Sequence, residues 1–487
     1  MKKILLGLLT LLVLLVVVMT VKTVWHPSRQ TKAPRAELAR VDPEAVAQRL
    51  AKAIRFRTIS HESPDKFDRR AFTGFRAYLE ESFPLVHSDL GREVINDFSL
   101  LYTWPGKKPE LAPLLLIAHM DVVPVEKGTE SQWRQPPFGG HIKDGFIWGR
   151  GSLDDKVSLV GLLEAVETLL AKGFEPRRTI LLGFGHDEEV GGARGAQALA
   201  SLLEKRGVRP ACVLDESGII GRGLIPGLDP PVALVGVAEK GYLSVELTVE
   251  TEGGHSSMPP KRSAAGILAA AVSKLEENQL PARLDGVTGL LFDYISPEMN
   301  LPLKAVFANK WLLSPLIKRQ LSGARPTNAG IRTTTALTIF QAGEKDNVLP
   351  SRARAVVNFR IMPGDSVKKV LDHVQRTMGD PRIKTKPLGR PQEPTNVSDP
   401  DSPGFARLDK TIRQVFPRVL VAPYLVVAGT DARHYDKICP LVLRFLPVRM
   451  EAEDLARIHG TNERVSVDNY AEVVKFYIRF IENWNID

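Results

Sequence analysis

Cysteine is almost missing from this chain: Cys212 and Cys439 are the two it has in 487 residues. They define no disulfide framework and have no metal-ligand spacing, although a single bridge between them stays open. Also missing is any run of Lys and Arg interleaved with aromatics. The net charge of +9 therefore reads as general solvation of a globular surface, and a nucleic-acid partner is not expected. A good small-x-small cleavage site is lacking after the N-terminal apolar run, where Val24-Trp25-His26-Pro27 is a poor one. The uncharged run Ile4 to Val21, behind Lys2 and Lys3, therefore reads as an uncleaved signal anchor rather than a cleaved signal peptide. Its length is close to the roughly 17–18 residues that a spanning helix needs. The lysines should stay cytoplasmic and place the rest outside, as a single-pass membrane protein, or a secreted one if the segment is cleaved.

What is there has ordinary globular composition, 44% hydrophobic and 25% charged, in a chain long enough for two or three domains. Residues 1–25 are read as the anchor and 26–41 as a polar linker. The globular part opens at Asp42, a candidate N-cap followed by Pro43 and apolar positions at helical spacing. Helices are expected over 71–83, 157–171, 263–277, 366–378, 405–415 and 468–485, the last capped by Asp468. Strands are expected over 99–106, 114–118, 179–184, 241–254, 336–341 and 353–361. Between them, 285–327 is long and irregular, with apolar runs such as AVFANKWLLSPL that are read first as core packing and second as contacts with lipid or acyl chains.

The stretch from Pro113 to Gly192 organises the rest. PLLLIAHMDVVPV and ILLGFGHDEEVGG each run from apolar residues into His and acidic residues. In an α/β protein such residues gather at the C-terminal ends of parallel strands. His119 and Asp121 alternate onto one side of an extended chain, so His119 can ligate a metal while Asp121 accepts the other ring N–H. Asp154 in IWGRGSLDDK stands at a helix entrance, where it can be a cap or can bridge two ions. Glu188 and Glu189 repel each other unless a cation sits there, and the simplest division of labour is one ligand and one general base. A single imidazole with several carboxylates suits a divalent metal, zinc by default.

HMDVVP, GRGSLDDK and HDEEVGG together resemble the signature set of peptidase family M20, metallopeptidases and amidohydrolases. The loop Trp133, Pro136, Pro137, Phe138 and Gly140, with the DDK form of the second motif, resembles the branch of carboxypeptidase S and the N-fatty-acyl-amino-acid synthase/hydrolases. The resemblance implies His119 as a ligand with Asp121 as its orienting active-site partner. It implies Asp154 bridging two zinc ions (Co2+ or Mn2+ as substitutes), Glu188 as general base and acid, and Glu189 as a ligand. Asp215 in VLDESG would be the next ligand, with Glu216 the adjacent alternative, and His459 in ARIHGTNE the last.

The same resemblance implies an α/β fold: a zinc-exopeptidase-like catalytic domain with a mixed central sheet in two parts, 42–238 and 393–487. An α+β lid and dimerisation domain would be inserted at 239–392, able to pair two copies into a homodimer. His255 in GGHSSMPP would stabilise the oxyanion, often from the partner copy, while Asn347 and Arg360 would hold substrate. Arg360 is suited to grip a carboxylate with two parallel bonds. Gly429 and Thr430 could contact that carboxylate through backbone and hydroxyl donors, and His434 stands near them. The function expected is zinc-dependent hydrolysis of an amide bond next to a free carboxylate, in short peptides or N-acyl amino acids. The alternatives are a dipeptidase or aminopeptidase on the same scaffold, or a non-catalytic binding protein.

Overall fold

The apolar runs become the strands of one mixed sheet in the computed structural model, which describes residues 1–486, Pro64 by its backbone alone. Leu114–His119 is buried at every position and lies parallel to Ile180–Gly185 on one side and to Cys212–Asp215 on the other. Strands covered on both faces read as continuous apolar runs, which is why these were visible in the sequence. Ser99–Trp104 and Gly91–Ile95 extend the sheet antiparallel at one edge. Val442–Arg444 pairs parallel to Cys212–Asp215 and antiparallel to Val232–Glu239, which in turn pairs parallel to Leu420–Val426. Parallel strands 114–119, 180–185 and 212–215 thus end on the same side, and the loops that follow them meet there.

Helices cover the sheet. Pro43–Ile54 starts as expected at Asp42, whose carboxylate accepts from the N–H groups of Glu44 and Ala45. Lys156–Ala171 is buried nearly all round. The final helix, Val467–Trp484, is capped by the Ser466 hydroxyl, not by Asp468, which lies inside the first turn. Cys212 and Cys439 are both buried free thiols, so the bridge left open by the sequence is not formed.

A second sheet has four antiparallel strands in the order Thr334–Ala342, Arg352–Ile361, Gly241–Glu250, Ile383–Gln392. Helices Ala264–Glu277 and Val367–Met378 pack on it around a separate apolar core that includes Leu247, Leu268, Phe359 and Val374.

Residues 285–327 depart from their irregular reading. They form the helices Gly286–Ile295, Leu301–Ala308, Lys310–Ser322 and Arg325–Ile331. Two of these starts have proline in the first turn, where a missing N–H costs nothing. Their apolar cluster (Tyr294, Ile295, Phe307, Ile317) joins Val232 and Ala422 of the central sheet rather than the four-stranded one. At the N-terminus, Lys2–Val24 is one helix, long and apolar enough to cross a membrane, as an anchor or a signal sequence would be. The linker has no regular structure, yet it is fastened to the body: Gln30 donates to the carbonyls of Tyr294 and Val421 and accepts from Arg413 and the Val421 N–H.

The Trp133–Gly140 loop reaches the first globular helix through its last glycine. Gly140 has φ +55°, and a Cβ there would stand 1.8 Å from the Ala51 carbonyl oxygen. Gly145 has φ +76° with open space around it. Gly145→Ala should therefore cost about 1 kcal/mol, the strain of a left-handed residue alone. Gly140→Ala should cost about 3 kcal/mol or more, because fixed backbone must also move. Urea unfolding of the two variants checks the order, and equal losses would contradict it.

Candidate metal centre and active site

Six acidic and imidazole side chains converge beyond the strand ends. His119 closes its strand, with Nε2 3.0 Å from Asp154 Oδ1 and 3.4 Å from Glu216 Oε1. On the other side of Asp154, His459 Nε2 lies 2.9 Å from Oδ2 and 3.1 Å from Glu189 Oε2. Asp154 thus faces one imidazole with each oxygen. Potential ligand atoms group as His119, Asp154 and Glu216, as Asp154, Glu189 and His459, and as His119, Glu188 and Glu189. Asp154 is not the cap of the helix it precedes; the N-cap position belongs to Asp155.

Asp121 stands behind this group. His119 Nδ1 is 3.0 Å from its backbone oxygen and 3.3 Å from its carboxylate. The same carboxylate accepts the backbone N–H groups of Glu188 at 3.2 Å and Glu189 at 3.1 Å. One buried side chain therefore orients the imidazole and sets the acidic loop. Burial opposes its ionisation, but the His119 ring and these donors hold its pKa below the ordinary value.

Elsewhere the electrostatics are uncompensated. Burial, then the charges of Glu216, Asp431 and Glu189, pushes Glu188 well above the usual carboxylate range, although His119 draws it down. Burial, then Asp154 and Asp155, does the same to Glu216. His459 is held up to about 10 by hydrogen bonds to Asp154 and Glu189. Glu189 Oε1 is buried with no hydrogen-bond partner. Among the described residues, no Lys or Arg pairs with Asp154, Glu188, Glu189 or Glu216; two imidazoles alone face these four carboxylates. Gathering like charges out of water costs several kcal/mol unless something positive joins them. An oxygen-rich set with two imidazoles and an orphaned carboxylate oxygen fits divalent metal ions.

Asp215 is the departure in this set. It ends the strand Cys212–Asp215 and stands outside these groups: its Oδ2 accepts the Ala432 N–H at 2.7 Å, its Oδ1 is buried with no hydrogen-bond partner, and burial pushes it up to about 6. Successive side chains leave a strand on opposite sides, so Glu216, one residue on, points where Asp215 does not. Thr430 also differs from expectation. Its hydroxyl and its N–H are both donated to the buried carboxylate of Glu239, at 2.6 and 3.0 Å, which leaves neither for a ligand. Gly429 and Thr430 do line the cavity described below. His434 packs near Gly192, behind the acidic loop. His255 and Asn347 sit together at a short two-stranded antiparallel ladder, where His255 pairs with Val348 and the Asn347 carbonyl accepts the Ser256 N–H; His255 is exposed and bonded to Ser257. Arg360 stacks over Tyr242 with its carbon 4.8 Å from the ring centre. None of these three lines the cavity among the described residues.

The cavity, about 760 Å³, opens from the cluster. Asp154, Glu188, Glu189, Glu216 and His459 form one end. Its long wall is apolar, with Leu224, Ile225, Leu291, Phe292, Ile331 and Ile458.

Residues 115–483 match the family model described as peptidase family M20/M25/M40. The chain belongs to this family. It is 46% identical over 442 residues to a probable carboxypeptidase S-like 2 of Dictyostelium discoideum, covering 90% of this chain and 85% of that protein. To the N-fatty-acyl-amino acid synthase/hydrolase PM20D1 of Xenopus tropicalis it is 43% identical over 455 residues, 93% of this chain and 88% of the relative. The fold is similar to that of an M20 family metallo-carboxypeptidase, Sso-CP2, from Sulfolobus solfataricus, with a TM-score of 0.63 at 20% identity over 91% of this chain and 99% of that one. M20 membership and these relatives make the protein a hydrolase of the metallopeptidase and amidohydrolase kind.

Two residues of this M20 site stood in the quoted motifs without a role. Arg150, in GRG, and Glu463, in HGTNE, form a buried pair at 2.5 Å. Glu463 also accepts the N–H groups of Gly151, Leu153 and Asp154. Arg150 donates to the carbonyls of His459 at 3.0 Å and Gly460 at 2.9 Å. That matters because His459 has φ +58°, a left-handed backbone that needs holding. The signal available in sequence was an arginine and a glutamate inside motifs otherwise composed of ligands and glycines. Glu463→Gln should lower unfolding stability by about 3 kcal/mol, since it leaves Arg150 buried without its charge partner. It should also weaken the binding of a divalent metal such as added zinc about 10- to 100-fold by loosening Asp154 and His459 together. Urea unfolding and a calorimetric zinc titration read the two effects; wild-type values in both would refute the bracing role.

Proposed function

We propose that this protein hydrolyses the amide bond of N-acyl amino acids with long acyl chains, using two divalent cations, zinc by donor type. The observation that carries the substrate class is the cavity: one acidic, imidazole-rich end and a long apolar wall in a single space of about 760 Å³. Such a space suits an amphiphile, with a polar head at the reacting end and an apolar tail along the wall. In support, the Xenopus tropicalis relative is named for N-fatty-acyl amino acids. The second reading, a carboxypeptidase on short peptides, draws on the carboxypeptidase S-like relative. A dipeptidase or aminopeptidase needs a polar clamp for a free amine, and the wall offers little for one.

In this reading His119 and Glu216 hold one cation, Glu189 and His459 the other, and Asp154 faces both. When bound, such cations supply Lewis acidity, polarising the scissile carbonyl and acidifying water. Glu188 does the proton work. It is buried beside the cluster with its affinity for protons raised, so it can take a proton from the attacking water and return it to the leaving nitrogen. Asp121 keeps His119 in one orientation and fixes the backbone of Glu188. Arg360 is near both Lys240 and Arg433: burial lowers the pKa of each, and the Arg360 charge lowers it further. Arg433 lies against Gly429, at the cavity edge. That concentration of positive charge supports a substrate carboxylate there, with Arg360 and Asn347 as its holders.

His255, exposed on its two-stranded ladder, would act as oxyanion donor in the site of a second copy, with residues 239–392 as the lid through which a homodimer forms. The N-terminal helix would hold the enzyme in a membrane with its catalytic domain, 42–238 and 393–487, outside the cytoplasm.

Glu188→Gln should lower kcat about 10²- to 10⁴-fold while the metal content stays at the wild-type level. Metal analysis beside a hydrolysis assay reads both, and retained activity would remove Glu188 from its role. A panel of acyl glycines and their carboxamides should show kcat/KM rising with acyl length and collapsing on amidation. A flat response to acyl length would favour the short-peptide reading instead.

A further inference from the structure

The helices between residues 301 and 322 carry an apolar face that nothing in the chain covers. Leu301 is 71% exposed, Trp311 53%, Leu312 39% and Leu316 60%. Scattered exposed leucines are normal; four large apolar residues on two consecutive helices are a patch. The opposite sides of these helices are occupied, since Leu303, Val306, Phe307, Leu313 and Ile317 join the apolar cluster on the central sheet. The patch is also not isolated. Asn309, buried between the two helices, donates from Nδ2 to the Met19 carbonyl and to the Thr23 hydroxyl, both at 3.2 Å. Lys22 lies 5.7 Å from the centre of the Trp311 ring. Just beyond, Trp25 is 79% exposed, and His26 bonds Ser296 at 2.8 Å. The C-terminal end of the apolar N-terminal helix is therefore fastened to the very helices that bear the patch.

We propose that the outer face of residues 301–322 lies in the surface of a lipid bilayer with anionic headgroups, beside the point where the N-terminal helix enters it. This rests on reading Lys2–Val24 as a membrane anchor. Continuity is the first argument: a helix spanning the bilayer and ending against Asn309 brings Trp311, Leu312 and Leu316 to the height of the headgroups. Residue types are the second. Trp25 and Trp311 suit the boundary between water and hydrocarbon. Lys304, Lys318, Arg319 and Arg325 lie within or next to the patch, Lys310 pairs with Asp293, and no acidic residue occurs from 299 to 331. Such cations favour anionic lipid and let their stems cover apolar surface. The same segment turns Leu321, Pro326 and Thr327 toward the cavity. The cavity wall and the membrane face are thus two sides of one helical layer.

The test uses the full-length protein with a polarity-sensitive fluorophore on single introduced cysteines; native Cys212 and Cys439 are buried and inaccessible. Leu301→Cys, Leu316→Cys, Val13→Cys and, at an exposed strand end of the four-stranded sheet, Glu250→Cys are labelled and placed in vesicles of phosphatidylcholine and phosphatidylserine carrying nitroxide on the acyl chain. Labels at 301 and 316 should shift to the blue and be quenched by the nitroxide lipid, and the label at 250 should do neither. Adding Trp311→Glu should relieve the quenching at 301 and 316 while leaving it at 13. Quenching at 13 without quenching at 301 and 316 overturns the proposal and keeps the anchor. A blue shift at 316 that the lipid nitroxide does not quench also overturns it, in favour of a protein partner or a second copy. No quenching at 13 removes the anchor reading, independently of what 301 and 316 report.

Discussion

The carboxylate of Glu463 is where the site is held together. The acidic and imidazole side chains come from chain segments hundreds of residues apart, and a ligand set is useful only if its members stay within a few tenths of an ångström of one another. Glu463 collects three backbone N–H groups of the loop that presents Asp154. Through Arg150 it also governs the carbonyls of the loop that presents His459. Both groups are fully buried, so the pair is not screened by water. A lone buried charge there would be costly, so each loop is tied to the other by the expense of separating them. Asp121 repeats the device on the opposite side, where one carboxylate orients His119 and seats the backbone of both Glu188 and Glu189.

These two supports explain how four carboxylates can be kept so close together. The backbone around Asp154, Glu188 and Glu189 is fixed by hydrogen bonds to charges that are themselves satisfied. The clustered side chains are then left with protons on His119, His459, Glu188, Glu189 and Glu216, all held above their ordinary values, to balance their mutual repulsion. A divalent cation does the same work better, and binding it would release those protons. The site is thus ordered by carboxylates that collect backbone N–H groups, and acted on by those that face one another.

The central sheet was legible because buried parallel strands leave unbroken apolar runs, and most of the convergent residues were legible because each run ends in His or acid. What was less legible has particular physical reasons. Asp215 and Glu216 differ by one position at a strand end, and composition cannot say how two adjacent acids divide the crevice; Glu216 groups with His119 and Asp154, while Asp215 accepts the Ala432 N–H. Thr430 looked free to bind substrate because its partner, Glu239, is far off in sequence. Arg150 and Glu463 looked like punctuation inside motifs, since a pairing 313 residues apart leaves no local trace. The polar linker gave no sign that Gln30 would be clasped by Arg413 and Val421, because such bonds have no sequence period.

Residues 285–327 failed to read as helices for a more informative reason. A surface helix shows an apolar stripe on one side and polar residues on the other, and periodicity detects that contrast. Here the contrast is weak: Ile317 and Phe307 point inward, Leu312 and Leu316 outward, and Leu321 toward the cavity. A helix that is apolar on several sides is either buried in protein or bordered by something other than water. Only part of this layer is buried in protein, and the unburied part adjoins the end of Lys2–Val24, a helix long and apolar enough to cross a membrane. The pattern that defeated the periodicity is therefore what a layer between an apolar cavity and a lipid surface should look like.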